Sequence, residues 1–192
     1  MRGQYRVWTA LVGAALTLGC GHKGSDEDPY TPDRVVNLQR NLKYHKVIVH
    51  PYTVDKSVED PGTAPLLCHQ STIDFLAEKR IFASLQEAPD AVADADTLTV
   101  DATVQSLRIV GGAARFWGGA WAGSSHMTLM VVAKDSTGAT VGERAVGNDN
   151  NSMGAAWSGG ATDRGLPGEV GTLVADAIVK MAQGQPAQAT AK

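Results

Sequence analysis

The chain has 192 residues, 43% of them hydrophobic and 19% charged, and its 17 basic and 20 acidic side chains leave a formal net charge of −3. That length and apolar content suit one domain with a modest core. The acidic balance excludes the basic face that nucleic-acid binding needs, and two cysteines are too few for a disulfide scaffold.

Arg2 and Arg6 form a short basic segment, followed by twelve mostly apolar residues at 7–18. A helix that spans a bilayer takes about 20 such residues, so the run fits the apolar region of an export signal. It ends in Leu16-Thr17-Leu18-Gly19-Cys20. This resembles the lipobox of bacterial lipoproteins, in which a small residue precedes the cysteine whose thiol takes the lipid. The favoured leucine three places before the cysteine is Thr17 here, with leucines on either side. The resemblance implies a signal peptide at 1–19, cleavage before Cys20, and acyl chains such as palmitate on that cysteine. A plain secretory signal would need the basic segment, the apolar length and the position of Cys20 to coincide by chance. One acyl chain holds a protein only marginally, at roughly 0.8 kcal/mol per buried methylene, whereas two or more make a durable anchor. Gly21 lacks the aspartate that retains enterobacterial lipoproteins at the inner membrane, which implies the outer membrane, facing the periplasm. Loss of residues 1–19 removes Arg2 and Arg6 and no acid, leaving 15 basic against 20 acidic groups. A purely electrostatic hold on anionic lipid does not fit that balance. With Cys20 acylated, Cys68 has no partner within the chain. Residues 19–24 also fit the dinucleotide pattern G-x-G-x-x-G, but they straddle the cleavage site and follow no strand, which the fingerprint requires.

Residues 20–42 read as the lipidated cysteine and a flexible tether. An acidic, turn-rich stretch at 24–29 and Pro32 lie within it, and by random-coil scaling 15–20 such residues reach roughly 20–25 Å. Residues 43–183 form a single domain, and the small, polar residues 184–192 form a disordered tail. A first strand is expected at 46–54, with Pro51 marking an edge or bulge. Thr63 caps a helix that carries Pro65 in its first turn and runs to about Arg80. A short strand at 81–86 follows. At 97–105, Leu98, Val100, Ala102 and Val104 alternate with polar residues, so one face is buried and one is wet. The phase then shifts to Leu107 and Ile109, and a bulge near Ser106 accounts for it. Residues 111–123 read as an aromatic, glycine-rich loop. The strand at 126–133 is apolar on both faces and therefore central. Asp135-Ser136-Thr137-Gly138 is a hairpin turn into a strand at 140–147. A second glycine-rich loop covers 148–168. In the last helix Val170, Leu173, Val174, Ala177, Ile178 and Met181 keep helical spacing. The order β-α-β-β-β-β-α implies an α+β two-layer sandwich: a mostly antiparallel sheet of about five strands with two helices on one face.

The strand from Thr97, the glycine loop, the run from Gly123 through His126 to Gly138 and the closing amphipathic helix together resemble the bacterial lipoproteins of domain-of-unknown-function family 4410. The resemblance spans roughly residues 46–182. More distantly, the chain is similar to the periplasmic domain of the curli secretion channel lipoprotein. That family has no agreed activity, so the resemblance implies fold and location rather than mechanism.

No chemical constellation stands out. Ser158 sits in Ala156-Trp157-Ser158-Gly159-Gly160, a loose nucleophile elbow, but that fold places its histidine after the serine, and His22, His45, His50, His69 and His126 all precede it. Cys68 and His69 are neighbours on a helix and do not face each other; a small buried residue is the plainer reading of Cys68. His45 and His50, five apart around a strand, point to opposite faces and cannot readily chelate together. Asn148-Asp149-Asn150-Asn151 lacks calcium-loop spacing, and neither glycine loop holds the Gly-Lys-Ser/Thr of a phosphate loop.

Phe116, Trp117, Trp121 and Trp157 lie among clustered glycines. They either contact a protein partner or the bilayer interface, or fold back over the end of the sheet. The chain is therefore read as a non-enzymatic, membrane-anchored accessory or assembly module of the cell envelope, with no cofactor and no metal. A membrane held through Cys20, an envelope protein and a second copy of the chain are its expected partners. The alternative is a pore-forming or channel-associated secretion subunit, in which strand 97–105 is half of a transmembrane hairpin. A small-ligand carrier is a third reading, and it requires a roomy apolar pocket.

Overall fold

The computed structural model describes residues 30–88, 91–150, 158 and 161–185. Its elements run α1 (Pro32–Arg40), β1 (Lys46–Val49), β2 (Thr53–Val54), α2 (Ala64–Lys79), β3 (Ser84–Gln86), β4 (Thr97–Arg108), α3 (Gly112–Gly118), a 3-10 turn (Gly119–Ala122), β5 (His126–Lys134), β6 (Thr140–Asp149) and α4 (Ala161–Ala182). The class is the expected α+β sandwich, with more elements than the hydrophobic pattern distinguishes.

The sheet order is β3-β1-β4-β5-β6, with β2 also paired to β4. The long ladders, β4 with β5 and β5 with β6, are antiparallel. Strands β1 and β2 both run parallel to β4, and β3 runs parallel to β1. The sheet is thus mixed, with six strands rather than five. The strand expected at 46–54 is two pieces because Pro51 has no N–H for the ladder. Pairing resumes on either side, where His50 N donates to Val100 O and Asp55 N to Val104 O. The parallel pairing of β1 with β3 follows from the helical crossover α2 between them.

The bulge expected near Ser106 is present, as a register shift between Val104 and Ser106. At the expected hairpin, Gly138 N donates to Asp135 O and Gly138 takes φ +82°. On β5, Met127, Leu129, Val131 and Ala133 are fully buried and alternate with half-buried residues, so one face is core and the other faces outward. The apolar residues of β4, Leu98, Val100, Ala102 and Val104, belong to the same core. Strand β4 is flanked by β1 and β2 on one side and by β5 on the other, and its apolar face belongs to the core.

Three further expectations change. The stretch read as a tether carries α1 where it is described. The ring of Tyr30 stands edge-on to Phe75 at 5.1 Å and its hydroxyl donates to Asp176, while Val35 and Leu42 are buried. Pro32 at the helix start and Asp33 in the first turn nucleate this short element. Secondly, the loop expected at 148–168 is in part helix and strand: β6 extends to Asp149 and α4 starts at Ala161, running through Pro167. Thirdly, Leu173 lies off the buried stripe of α4 at 42% exposure, while Val170, Val174, Ala177, Ile178 and Met181 are buried. Gly184 ends α4 in the left-handed conformation (φ +71°), its N–H donating to Met181 O. The signal peptide, Cys20 and residues 186–192 lie outside the described residues.

Helices α2 and α4 cross in close contact. A Cβ built on Gly171 would stand 2.5 Å from Cys68 O and 2.7 Å from Ser71 Cβ. Thr72 Oγ1 lies 2.9 Å from Gly171 O and 3.0 Å from Cys68 O, and accepts the hydroxyl of Tyr52 at 2.8 Å. Gly171→Ala gains about 1 kcal/mol of helix propensity, but forcing a methyl against a backbone carbonyl costs typically 1–3 kcal/mol or more. The expected outcome is net destabilisation, read as a lowered thermal midpoint, with Gly165→Ala, whose methyl meets nothing closer than 3.9 Å, unchanged or slightly raised as control.

Candidate functional site

The most exposed aromatic side chains among the described residues lie on one excursion between β4 and β5. Trp121 is 98% exposed, Trp117 85% and Phe116 80%. The loop expected at 111–123 is here the short helix α3 and a 3-10 turn, so the rings stand on a compact platform. Phe116 and Trp117 pack edge to face at 5.1 Å. They do not fold back over the sheet. The neck of the excursion is tied twice. Val110 N donates to the Oγ of fully buried Ser125, and Arg108 Nη2 donates to Ala122 O at 3.2 Å. Gly123, at φ +86°, makes the return toward β5, where the Arg108 guanidinium lies against it. Trp157 lies outside the described residues.

Beside this excursion opens a cleft of about 590 Å³. Its walls come from three separate parts of the chain: the turn leading into α2, the end of β4, and the first turns of α4. Arg108 and Arg164 bring two cations, Glu59 and Asp60 two carboxylates, and Leu67 and Leu107 apolar surface. Asp60 holds φ +48° in the turn. The volume lies within the range of about 300–1,000 Å³ usual for small-molecule sites. Neither arginine nor either acid belongs to a recognisable local motif, so sequence reasoning missed all four; the tertiary fold alone assembles them.

The candidates for chemistry are dispersed. Ser158 is exposed, and its Oγ accepts from Thr162 N at 3.4 Å, the role of a residue capping α4. Cys68 is fully buried, and desolvation pushes its thiol up to about 12. His69, on the next turn position, is buried with its Nε2 unpartnered among the described residues and its ring edge-on to Tyr52 at 4.9 Å. His126 Nε2 lies 2.9 Å from Ser106 Oγ. His45 and His50 separate as expected, each to its own aspartate at 2.8 Å: Asp96 for His45 and Asp101 for His50. Asp101 also accepts from Lys134 at 2.8 Å. Its desolvation raises the carboxyl pKa, but the Lys134 and His50 bonds outweigh it and hold the carboxyl below its usual range. This trio ties β4 to β5 and to the end of β1 on the outward face. Asn148 Nδ2 bonds Glu169 and Asn150 Nδ2 bonds Thr162 O, so both serve as struts between β6 and α4. Among the described residues no group of three His, Cys, Asp or Glu side chains could hold a metal ion, and no helix is long and apolar enough to cross a membrane.

No family model and no curated protein matches the sequence, so the resemblance to family 4410 gains no support there. Among the solved structures that share part of the fold are two PelC dodecamers from Paraburkholderia phytofirmans, one carrying a leucine-to-methionine substitution. They superpose with TM-scores of 0.44 and 0.43 at 17% and 16% identity, covering 73% of this chain and 88% and 90% of theirs. A likeness that loose carries no conclusion about function.

A thiol of pKa about 12 in place of 9.0 has about a thousandfold less thiolate at any pH between 7 and 9. In a chain with Cys20→Ala, the remaining thiol is expected to stay unreactive toward a disulfide reagent at pH 8 until the fold is opened by denaturant, and then to react as one equivalent. Rapid labelling of the native chain would contradict its burial.

Proposed function

We propose that this chain is a non-enzymatic, lipid-anchored module of the bacterial envelope, held at the periplasmic face of the outer membrane through Cys20, and that Phe116, Trp117 and Trp121 lay its α3 end on the bilayer interface. The observation that carries this reading is the exposure of three aromatic rings within six residues on an ordered platform. An aromatic side chain presents about 150–250 Å², so half-burying one at about 25 cal/mol per Å² is worth roughly 2–3 kcal/mol. Tryptophan suits the interface in particular, with an apolar body and a polar N–H. Three such rings, together with lipid on Cys20, supply two independent holds on one membrane.

The reach of the chain agrees. Tyr30 is fixed at Phe75, eleven residues along α2 from Ala64, or about 16 Å at 1.5 Å per residue. The ten residues from Cys20 to Tyr30 can span at most roughly 33–36 Å. That reach exceeds the roughly 16 Å from Tyr30 back to the start of α2, the end of the molecule where the cleft joins the aromatic excursion. The dispersal of Ser158, Cys68 and the histidines supports a non-enzymatic role.

A homo-oligomer is a second reading, favoured by β6, whose ten residues form an edge of the sheet that no other described strand pairs. Its test is the mass of the solubilised chain by light scattering.

Cys20→Ala is expected to move the protein from the membrane fraction to the soluble fraction on cell fractionation; continued acylation and membrane retention would overturn the anchor. In the same unacylated background, co-sedimentation with lipid vesicles is expected to be weak but measurable. Replacing Phe116, Trp117 and Trp121 with serine should reduce it at least tenfold while leaving the thermal midpoint within a few degrees. Unchanged partition would remove the membrane role of these rings.

A further inference from the structure

From the charges and walls of the cleft beside the aromatic platform, we infer that it is a binding site for a zwitterionic phospholipid, which takes the phosphate on Arg108 and Arg164, the ammonium on Glu59 and Asp60, and the upper acyl chain against Leu67 and Ile109. This rests on the membrane-facing reading of α3 for the source of the ligand.

Three observations carry it. The first is the charge pattern. Two guanidinium and two carboxylate groups share the rim of one cleft of about 590 Å³, and a ligand of one sign would leave half of them opposed. A phosphate and an ammonium on the same headgroup answer both pairs. Guanidinium groups present planar, forked donors that match phosphate oxygens. Arg108 spends one donor on Ala122 O, and the five that a guanidinium carries leave the others for a ligand. The second observation is the apolar wall. Leu67 and Ile109 both line the cleft and are 49% and 38% exposed, surface that a bare headgroup would leave wet and that a glycerol backbone and first methylenes would cover. The third is continuity. Ile109 precedes α3 by three residues, and the bond from Arg108 to Ala122 ties the cleft rim to the aromatic excursion. A platform seated among headgroups brings the mouth of the cleft to the depth at which phosphates lie.

The same chemistry is available in solution as a free phosphoethanolamine ester, and the apolar wall decides for the lipid. The test is isothermal titration of the unacylated Cys20→Ala chain with short-chain phosphatidylethanolamine below its micelle concentration, in parallel with short-chain phosphatidylglycerol and with glycerophosphoethanolamine. The expected result is saturable binding of the first ligand, at least tenfold weaker binding of the anionic lipid, and weaker binding again of the headgroup without tails. Arg108→Gln with Arg164→Gln, and separately Glu59→Gln with Asp60→Asn, should each weaken phosphatidylethanolamine at least tenfold. Arg164→Gln alone, which keeps the bond from Arg108 to Ala122 O, should also weaken phosphatidylethanolamine, and its circular dichroism and that of the acid double variant should match the parent, since these three side chains are exposed.

Absence of saturable binding, equal binding of the two lipids, or insensitivity to both double variants would overturn the inference. Binding by the tail-less headgroup as tight as the lipid would overturn the lipid source. Because the titration uses no bilayer, its result separates from that of the aromatic platform. If serine at 116, 117 and 121 leaves vesicle binding intact while the titration succeeds, the platform reading fails and the cleft stands. If vesicle binding falls and the titration fails, the reverse holds.

Discussion

The close crossing of α2 and α4 sets the rest of the structure. Gly171 has no side chain, so the backbone of α4 can lie against Cys68 O and the Ser71 side chain of α2. Thr72 stands at the same point and satisfies a carbonyl there with its hydroxyl, while Tyr52 donates to it from the sheet side. Two helices and a strand end thus meet at one buried polar node. With the helices this close, their joint apolar face is narrow enough for one sheet to cover, and the core runs as a single cluster from Tyr30 to Ala182. The buried hydroxyls are tolerated because each has a partner; an orphan there would cost about 1–3 kcal/mol.

The crossing also gives the molecule two unlike ends. At one end α1 closes over the C-terminal halves of α2 and α4, where Tyr30 meets Phe75 and Asp176, and Lys43 and Tyr44 donate to Ala182 O. At the other end the helices begin, the strands β4 and β5 overrun them, and the chain departs into the aromatic excursion. Apolar surface that a monomer ordinarily hides is concentrated there, on α3 and in the cleft. The end that is sealed is the end where the described chain starts, and the end that is open is the end with surface to offer.

Where the sequence was legible, short-range chemistry sufficed. The alternation in β4, its phase shift at Ser106, the Asp135–Gly138 turn and Pro51 as an interruption are each decided by a few neighbouring residues, and each appears in the fold. The aromatic excursion was located correctly and its form was not. Glycines at 111, 112, 118, 119 and 123 read as loop, but a compact helical turn forms because the neck is clamped by Ser125 and Arg108. Helix α1 was missed because Pro29, Pro32 and the acids before it mimic a linker; only the docking of Tyr30, Val35 and Leu42 makes the segment worth ordering. The early part of α4 was missed because Gly165, Pro167 and Gly168 oppose a helix locally, while packing against α2 overrides that preference.

By itself, the sequence determined the α+β class, the main strands and both long helices, and it singled out Phe116, Trp117 and Trp121 without deciding whether they face outward or fold back. Hydrophobic periodicity and turn residues act over a few positions, so they survive without knowledge of the fold. The tertiary structure alone decided that β1 and β3 join in parallel, that residues 30–42 belong to the packed body, and that Glu59, Asp60, Arg108 and Arg164 meet at one cleft. Those outcomes depend on groups dozens of residues apart brought together by a shared core, and the energy that holds them comes from burial across elements rather than from any local preference.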